Sequence, residues 1–156
     1  MVKRSISAGG FETTLERGQS LAEKMIPELQ FAGEEIMIQS FCPEIQTEGE
    51  WSLVFFNGHY SHAVLKTAGQ GEFRVQEKLG GTVRGETASI QIISMAQEIV
   101  KMCPEIPLYA RVDGIVRGKS FLLMELEVLE PSLFFAQCPG SEKAFANGIL
   151  ERSSYR

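Results

Sequence analysis

Leu108-Tyr-Ala-Arg-Val-Asp-Gly-Ile-Val-Arg-Gly-Lys-Ser-Phe-Leu-Leu-Met-Glu-Leu-Glu-Val-Leu-Glu130 is the stretch whose reading decides the fold. Both arms are rich in Val, Ile, Leu, Phe and Tyr, so they read as two strands joined by a tight turn at Gly118-Lys119. Side chains alternate faces along a strand. Tyr109, Arg111 and Asp113 therefore share one face of the first arm, and Glu125 and Glu127 share one face of the second. The opposite faces carry Leu108, Ala110 and Val112, and Leu122, Met124, Leu126 and Val128, which is core chemistry. Carboxylates are the hard oxygen ligands that hold Mg²⁺ together with substrate phosphates. Register decides whether the acids meet. A plain two-residue loop pairs Val112 with Glu125 and puts Asp113 on the wrong face. A three-residue loop, or a bulge beside a two-residue one, unites Asp113 with the glutamates. The alternative reading is that these acids line the solvated face of an amphipathic hairpin.

At 156 residues the chain is one domain or two small lobes, long enough to bury a core. Hydrophobic residues at 44% and charged residues at 22% place it among ordinary globular proteins, not disordered or membrane ones. A net charge of −5 argues against nucleic acid as a general partner, because phosphate backbones need a basic surface. A nucleotide pocket needs only a few local cations and is not excluded. Cys42, Cys103 and Cys138 are odd in number and lack metal-site spacing, which predicts reduced thiols and a cytoplasmic protein. No stretch has the length of a membrane-spanning helix or of a signal-peptide core. The chain opens directly on loop chemistry, Met1 to Gly10, which suggests a fragment.

In chain order, residues 2 to 6 read as a short strand, followed by the small-residue loop Ser7-Ala-Gly-Gly10, either a phosphate cradle or a plain turn. Phe11 to Leu15 reads as a second strand. Ser20 with Glu23 forms a capping-box signature, and the helix it opens should kink or stop at Pro27. Glu35 to Phe41 reads as a buried strand. Trp51–Phe56 and His59–Leu65 flank Asn57-Gly58, the preferred pair for a type I′ hairpin turn. That hairpin sets Phe55 against Tyr60, Leu53 against His62 and Trp51 against Val64, giving one aromatic, apolar face. His62 reads as a satisfied structural residue and His59 as exposed. Thr67 to Glu86 reads as a long Gly-rich loop holding Phe73, an anchor, and Arg74, a ligand-reaching or merely solvated cation. Thr87 should cap a helix running to about Met102, with Ile92, Ala96, Ile99 and Cys103 on its buried stripe. Leu133 to Phe135 is a short apolar segment. Ser141 opens a last helix, and Arg152 onward should fray.

Taken in order, Lys3 with Ser5-Ile-Ser-Ala-Gly-Gly10, Met37–Phe41, Gly49–Gly58, Gly71–Gln76 with Gly80-Gly81, Arg111-Val-Asp113 and Met124–Leu133 resemble the ATP-grasp superfamily. The likeness is to its glutathione-synthetase-like branch, including the O-ureido-serine cyclo-ligases of cycloserine biosynthesis, and it covers nearly the whole chain. It implies a truncated ATP-grasp fold of α+β class, an antiparallel sheet with flanking helices in two lobes. Residues 1–44 would be a remnant of the smaller lobe with its hinge, 45–151 the larger lobe with a metal site, and 152–156 a tail. It also implies an ATP- and Mg²⁺-dependent ligase that joins small-molecule carboxylate and amine substrates through an acyl phosphate. On that likeness Lys3, Ser7, Gly9 and Gly10 meet the phosphates of ATP, while Gln39, Ser40 and Phe41 form the hinge that meets adenine. Arg74 stands beside the transferring phosphate, and Asp113, Glu125 and Glu127 hold the metal. Two positions depart from the family pattern: Arg4 replaces a common Pro, and Glu127 a common Asn. The resemblance further implies a missing N-terminal domain and strands preceding Lys3. That predicts a homodimer, or association with the missing domain, and no membrane partner. The competing reading is an inactive nucleotide-binding or interaction module that retains the ATP-grasp shape.

Overall fold

Two antiparallel hairpins, zipped together through their first strands, build the main sheet. The structure is a computed structural model that describes residues 2–4, 36–69, 74–75 and 80–154. The expected phosphate loop Ser7–Gly10, the strand Phe11–Leu15, the capping box at Ser20, the stop at Pro27 and the anchor Phe73 lie outside those residues. The chain divides into two units, Met1–Pro43 and Glu44–Arg156.

In the first unit β1 (Val2–Arg4) pairs antiparallel with β2 (Ile36–Ile38), with Lys3 opposite Met37. The segment carrying Lys3 therefore has a strand partner. Met37 and Ile38 are exposed, against the buried strand expected for Glu35–Phe41; among the described residues β2 pairs with β1 alone, which leaves these two side chains uncovered. Gln39, Ser40 and Phe41 follow β2 without regular structure.

The second unit holds the short helix α1 (Glu44–Thr47), β3 (Glu50–Phe56), β4 (His59–Thr67), β5 (Thr82–Glu86), α2 (Ile90–Lys101), β6 (Tyr109–Arg117), β7 (Ser120–Glu127) and α3 (Ser141–Ser153). The strands form one antiparallel sheet in the order β5-β4-β3-β6-β7. Asn57 and Gly58 both take positive φ, 48° and 78°, as a type I′ turn requires. β5 corrects the long loop expected over Thr67–Glu86. Its five residues are mostly exposed, so no apolar alternation marks it, yet it pairs with β4 from Thr67 opposite Thr82 to Ala63 opposite Glu86. Gly85 allows this strand to pass under the next layer, because a Cβ there would stand 2.5 Å from the carbonyl oxygen of Gln137.

Both hairpins carry a bulge, and each re-aims side chains. In β4 the extra residue is Ser61: Phe55 still faces Tyr60, but Val54 then faces His62 and Leu53 faces Ala63. The expected pairs of Leu53 with His62 and Trp51 with Val64 are thereby corrected, and His62 moves to the opposite face of the sheet. In β7 the extra residue is Met124: Gly114 faces Leu123 and Asp113 faces Glu125. The turn at Gly118-Lys119 has two residues, with Arg117 opposite Ser120, so the bulge supplies the odd connection. It also moves Leu122 onto the acids' face, opposite Ile115, correcting the simple alternation. Gly114 is the enabling residue. A Cβ there would lie 2.4 Å from Phe121 Cζ and 2.6 Å from the Leu122 carbonyl oxygen.

One face of the sheet packs on α2. Leu53, Phe55, Ala63, Ala110 and Val112 meet Ile92, Ala96 and Val100, which recur every four residues along the helix. The buried stripe thus ends on Val100, while Cys103 lies past the helix. Its N-cap is Ser89, not Thr87: the Ser89 hydroxyl accepts from the Ile92 N–H at 3.3 Å. On the other face α3 packs at one end through Phe145, against Phe56, Phe135 and Tyr109. α1 packs against β6 at the opposite end, where Glu44 accepts two hydrogen bonds from Arg117, which hold its carboxyl down at about 2. Arg152 does not fray. It lies within α3 and donates to Asn57 Oδ1 at 2.8 Å and to the Ile106 carbonyl. Among the described residues no helix is long and apolar enough to cross a membrane.

A candidate metal centre on the open sheet face

Between those two covered ends the sheet presents charge. Strand alternation and the ladder pairs put Glu50 and Ser52 of β3, Lys66 of β4, Arg111 and Asp113 of β6, and Glu125 and Glu127 of β7 on one face. Oxygen atoms of Asp113, Glu125 and Glu127 lie within 4.8 Å of one another. The bulge at Met124 creates this arrangement by placing Glu125 directly across from Asp113, and Glu127 across from Arg111.

Asp113 is the fixed member, 1% exposed. Its Oδ1 accepts from Arg111 Nε at 2.9 Å, and its Oδ2 from Arg111 Nη2 at 2.9 Å and Lys66 Nζ at 3.0 Å. A carboxylate has about four acceptor positions, so roughly one remains. Burial pushes the Asp113 carboxyl up, but the Lys66 charge and the Arg111 hydrogen bonds and charge outweigh it and leave the value below the ordinary range. The Ser52 hydroxyl, opposite Asp113 in the ladder, also favours the ionised form, though among the described residues it has no partner in strict hydrogen-bonding geometry.

Arg111 is held from every side. It donates to Asp113, to Glu127 and, at 3.4 Å, to the Ser132 carbonyl, and its guanidinium stands 5.6 Å from the centre of the Phe134 ring. Burial alone lowers its affinity for the proton, but Asp113, Glu127 and Glu125 more than restore it. The segment after β7 acts as a strap. Glu130 and Phe134 take positive φ, 52° each, a conformation such residues rarely adopt. The strap also fastens to His62, whose Nε2 must donate to the Leu133 carbonyl at 2.8 Å, so Nδ1 accepts from the Ser61 hydroxyl at 2.9 Å. With Phe56 and Phe135 against its ring, His62 is structural, and its burial pushes the imidazole below its usual value. His59 is exposed.

Glu125 is the accessible acid, and among the described residues it contacts no cation. Partial burial, then the negative charges of Glu127 and Asp113, push its carboxyl above the ordinary range. Glu50 is buried and likewise raised, by burial first, with Lys66 3.4 Å away as its counterion. Among the described residues the four carboxylates of this face outnumber its two cations, Lys66 and Arg111. Such crowding of acids suits Mg²⁺, which binds through one or two carboxylates and keeps open positions for water and phosphate.

The acids Asp113, Glu125 and Glu127 thus come together. Arg74 is half-buried beside the buried Val75, and Gln39, Ser40 and Phe41 belong to the first unit with β1 and Lys3. The sequence reading missed Lys66, Glu50, Ser52 and the strap. Glu50 faces Lys66 only through the bulge at Ser61, since the plain hairpin register sets Glu50 against Leu65, so the sequence held no signal for that pair. A shallow cavity of about 420 Å³ lies elsewhere, at the β4–β5 edge among Tyr60, His62, Glu86 and Cys138, and contains none of these acids.

No family model matches the sequence. The cycloserine biosynthesis protein DcsG of Streptomyces lavendulae is 28% identical over 156 residues, covering 92% of this chain and 52% of the relative. The crystal structure of D-cycloserine synthetase DcsG superposes with a TM-score of 0.73 at 23% identity, over 97% of this chain and 54% of that one. D-alanine–D-alanine ligase from Bacillus anthracis, complexed with ATP, matches with a TM-score of 0.60 at 14% identity, over 97% and 58%. A second structure of that ligase matches with a TM-score of 0.65 at 16% identity, over 96% and 52%. The chain spans about half the length of the curated relative it matches. The fold is the α+β fold of the ATP-grasp ligases, shared over about half the length of each, and in sequence the chain is similar to part of one of them.

Proposed function

We propose that the chain is the metal-binding part, with the hinge, of an ATP-dependent carboxylate–amine ligase. The observation that carries this reading is the convergence of Asp113, Glu125 and Glu127 within 4.8 Å on the open face of a sheet whose fold matches a ligase complexed with ATP. In this reading the three carboxylates hold Mg²⁺, which when bound supplies positive charge to the phosphate oxygens. Asp113 is presented to it by Arg111, whose two hydrogen bonds hold the carboxylate ionised and in one orientation. Lys3 and the backbone of Ser7, Gly9 and Gly10 hold the phosphates of ATP. The backbone at Gln39, Ser40 and Phe41 meets the adenine, and Arg74 neutralises the transferring phosphate.

The reaction is a two-step displacement. A carboxylate oxygen of one substrate attacks the γ-phosphorus and ADP leaves, giving an acyl phosphate. The amine of the second substrate then attacks the acyl carbon and inorganic phosphate leaves, giving an amide. Phosphoryl transfer of this kind depends on positioning and charge neutralisation, which the cations and acids named here supply. The compartment is the cytoplasm, and the substrates are small molecules.

Hydroxylamine trapping tests this reading. The chain is incubated with ATP, Mg²⁺ and amino-acid carboxylates in hydroxylamine, joined to the rest of its ligase where a longer chain exists. Hydroxamate should form in equal amount to ADP and disappear in Glu125→Gln. ADP release without hydroxamate for any carboxylate would refute the acyl-phosphate step.

A further inference from the structure

We propose that Lys66 is a displaceable counterion: it occupies Asp113 in the metal-free protein and transfers to Glu50 when a divalent cation seats on the acids. This rests on the metal reading above. Lys66 lies opposite Glu50 in the β3–β4 ladder, and its side chain reaches diagonally over β3 to Asp113 on β6. Its ammonium is 3.0 Å from Asp113 Oδ2 and 3.4 Å from Glu50 Oε1. One cation therefore stands between two buried carboxylates, and only one of them belongs to the metal triad.

Two like charges on one carboxylate repel, so a metal on Asp113 must loosen one of its existing cations. Arg111 is not the one to leave. Its planar fork makes two hydrogen bonds to Asp113, another to Glu127 and another to the Ser132 carbonyl, with a ring stacked over it. Lys66 carries a point charge on a flexible stem and reaches Asp113 through a single hydrogen bond. Glu50 is already within ion-pair distance to receive it. Ser52 supplies an independent sign. Its hydroxyl is fully buried, shares a sheet face with Glu50, stands opposite Asp113 in the β3–β6 ladder, and among the described residues has no partner in hydrogen-bonding geometry. Buried hydroxyls are ordinarily satisfied. This one stands opposite Asp113 in the ladder and favours its ionised form, so it is placed to donate to Asp113 in the ammonium's stead.

The test is calorimetric titration of the chain with Mg²⁺ alone, without nucleotide, in a mutant cycle of Lys66 and Glu50. Glu50→Gln should weaken Mg²⁺ binding about tenfold in the otherwise native chain, because Lys66 loses its alternative seat. Glu50→Asp keeps the charge but shortens the reach, and should weaken binding in the same direction. In a Lys66→Met background both changes should have little effect, and Lys66→Met alone should tighten binding. Circular dichroism confirms that each variant is folded, with Lys66→Gln as the substitute where Met is not tolerated. Equal losses from Glu50→Gln in both backgrounds, or native affinity in Glu50→Asp, would overturn the transfer and leave Glu50 a remote negative charge. Absence of any Mg²⁺ binding by the native chain would instead overturn the metal reading, and the transfer with it.

Discussion

Replacing Arg111 by Met tests the energetic core of the charged face. Arg111 and Asp113 are both buried, with side chains 9% and 1% exposed, so solvent screens the pair little. Breaking a buried pair by removing one partner costs about 3–5 kcal/mol, because the remaining charge is left in a poorly solvating site. Lys66 stays within 3.0 Å of Asp113 and offsets part of this, which puts the expected loss near the lower end, about 3 kcal/mol. A fold with the usual margin of about 5–15 kcal/mol survives such a change. The sign of its pH dependence is specific. In the native chain Asp113 titrates below its ordinary value of 3.8, so its contribution is complete above 3.8 and is lost as the pH falls through the lowered folded value. Without Arg111 two of the lowering influences are lost while the burial stays, so the folded value rises. The deficit is then full at neutral pH and shrinks as acid protonates Asp113, which no longer needs a counterion. Asp113→Asn added to Arg111→Met should likewise recover part of the loss. Urea unfolding followed by the fluorescence of Trp51, the single tryptophan, measures all three quantities. A loss below about 1 kcal/mol, the ordinary worth of one exposed contact, or a deficit equal at pH 7 and pH 4, would refute the reasoning.

Glu125→Gln should raise the melting temperature slightly at pH 7 in chelator. The raised folded pKa of Glu125 marks a penalty that is present above that value and relieved as the pH falls through it, so the gain should vanish towards pH 4.5 in a thermal melt series. Native stability should also begin to fall below about pH 6.5, because His62 has a lowered folded pKa and its contribution is lost as the pH drops from the unfolded value towards the folded one. His62→Gln, which keeps a donor for the Leu133 carbonyl, should flatten that slope in urea midpoints between pH 7.5 and 5.5. Gly114→Ala should cost about 1–3 kcal/mol or more by urea unfolding, since its new methyl would stand 2.4 Å from Phe121 Cζ inside the bulge.

The sequence makes the two hairpins legible because their turns carry distinctive chemistry, Asn57-Gly58 in one and Gly118-Lys119 in the other. It also makes legible that Asp113, Glu125 and Glu127 can meet only through an odd connection. Which residue is the extra one is not legible, because a period of two cannot say where it slips. The clue was Gly114, a glycine inside an apolar strand, and such a glycine often marks a bulge or a close approach. The bulge at Ser61 left no such mark and sent His62 to the unexpected face. β5 escaped because an exposed edge strand with two charges and a glycine has the composition of a loop. Lys66 escaped because its partner Asp113 is 47 residues away and two strands over, a diagonal that only the folded ladder reveals. The likeness of ordered motifs to the ATP-grasp superfamily reached the fold directly, and the related ligases agree with it.

The measurement that bears most directly on the central claim is the Mg²⁺ dependence of ATP binding, by calorimetric titration of the native chain and of Glu125→Gln. Binding in excess Mg²⁺ should weaken at least about tenfold when the ion is chelated, and by a similar factor in Glu125→Gln with Mg²⁺ present. ATP binding that is indifferent to Mg²⁺ and to Glu125 would contradict a metal centre at Asp113, Glu125 and Glu127.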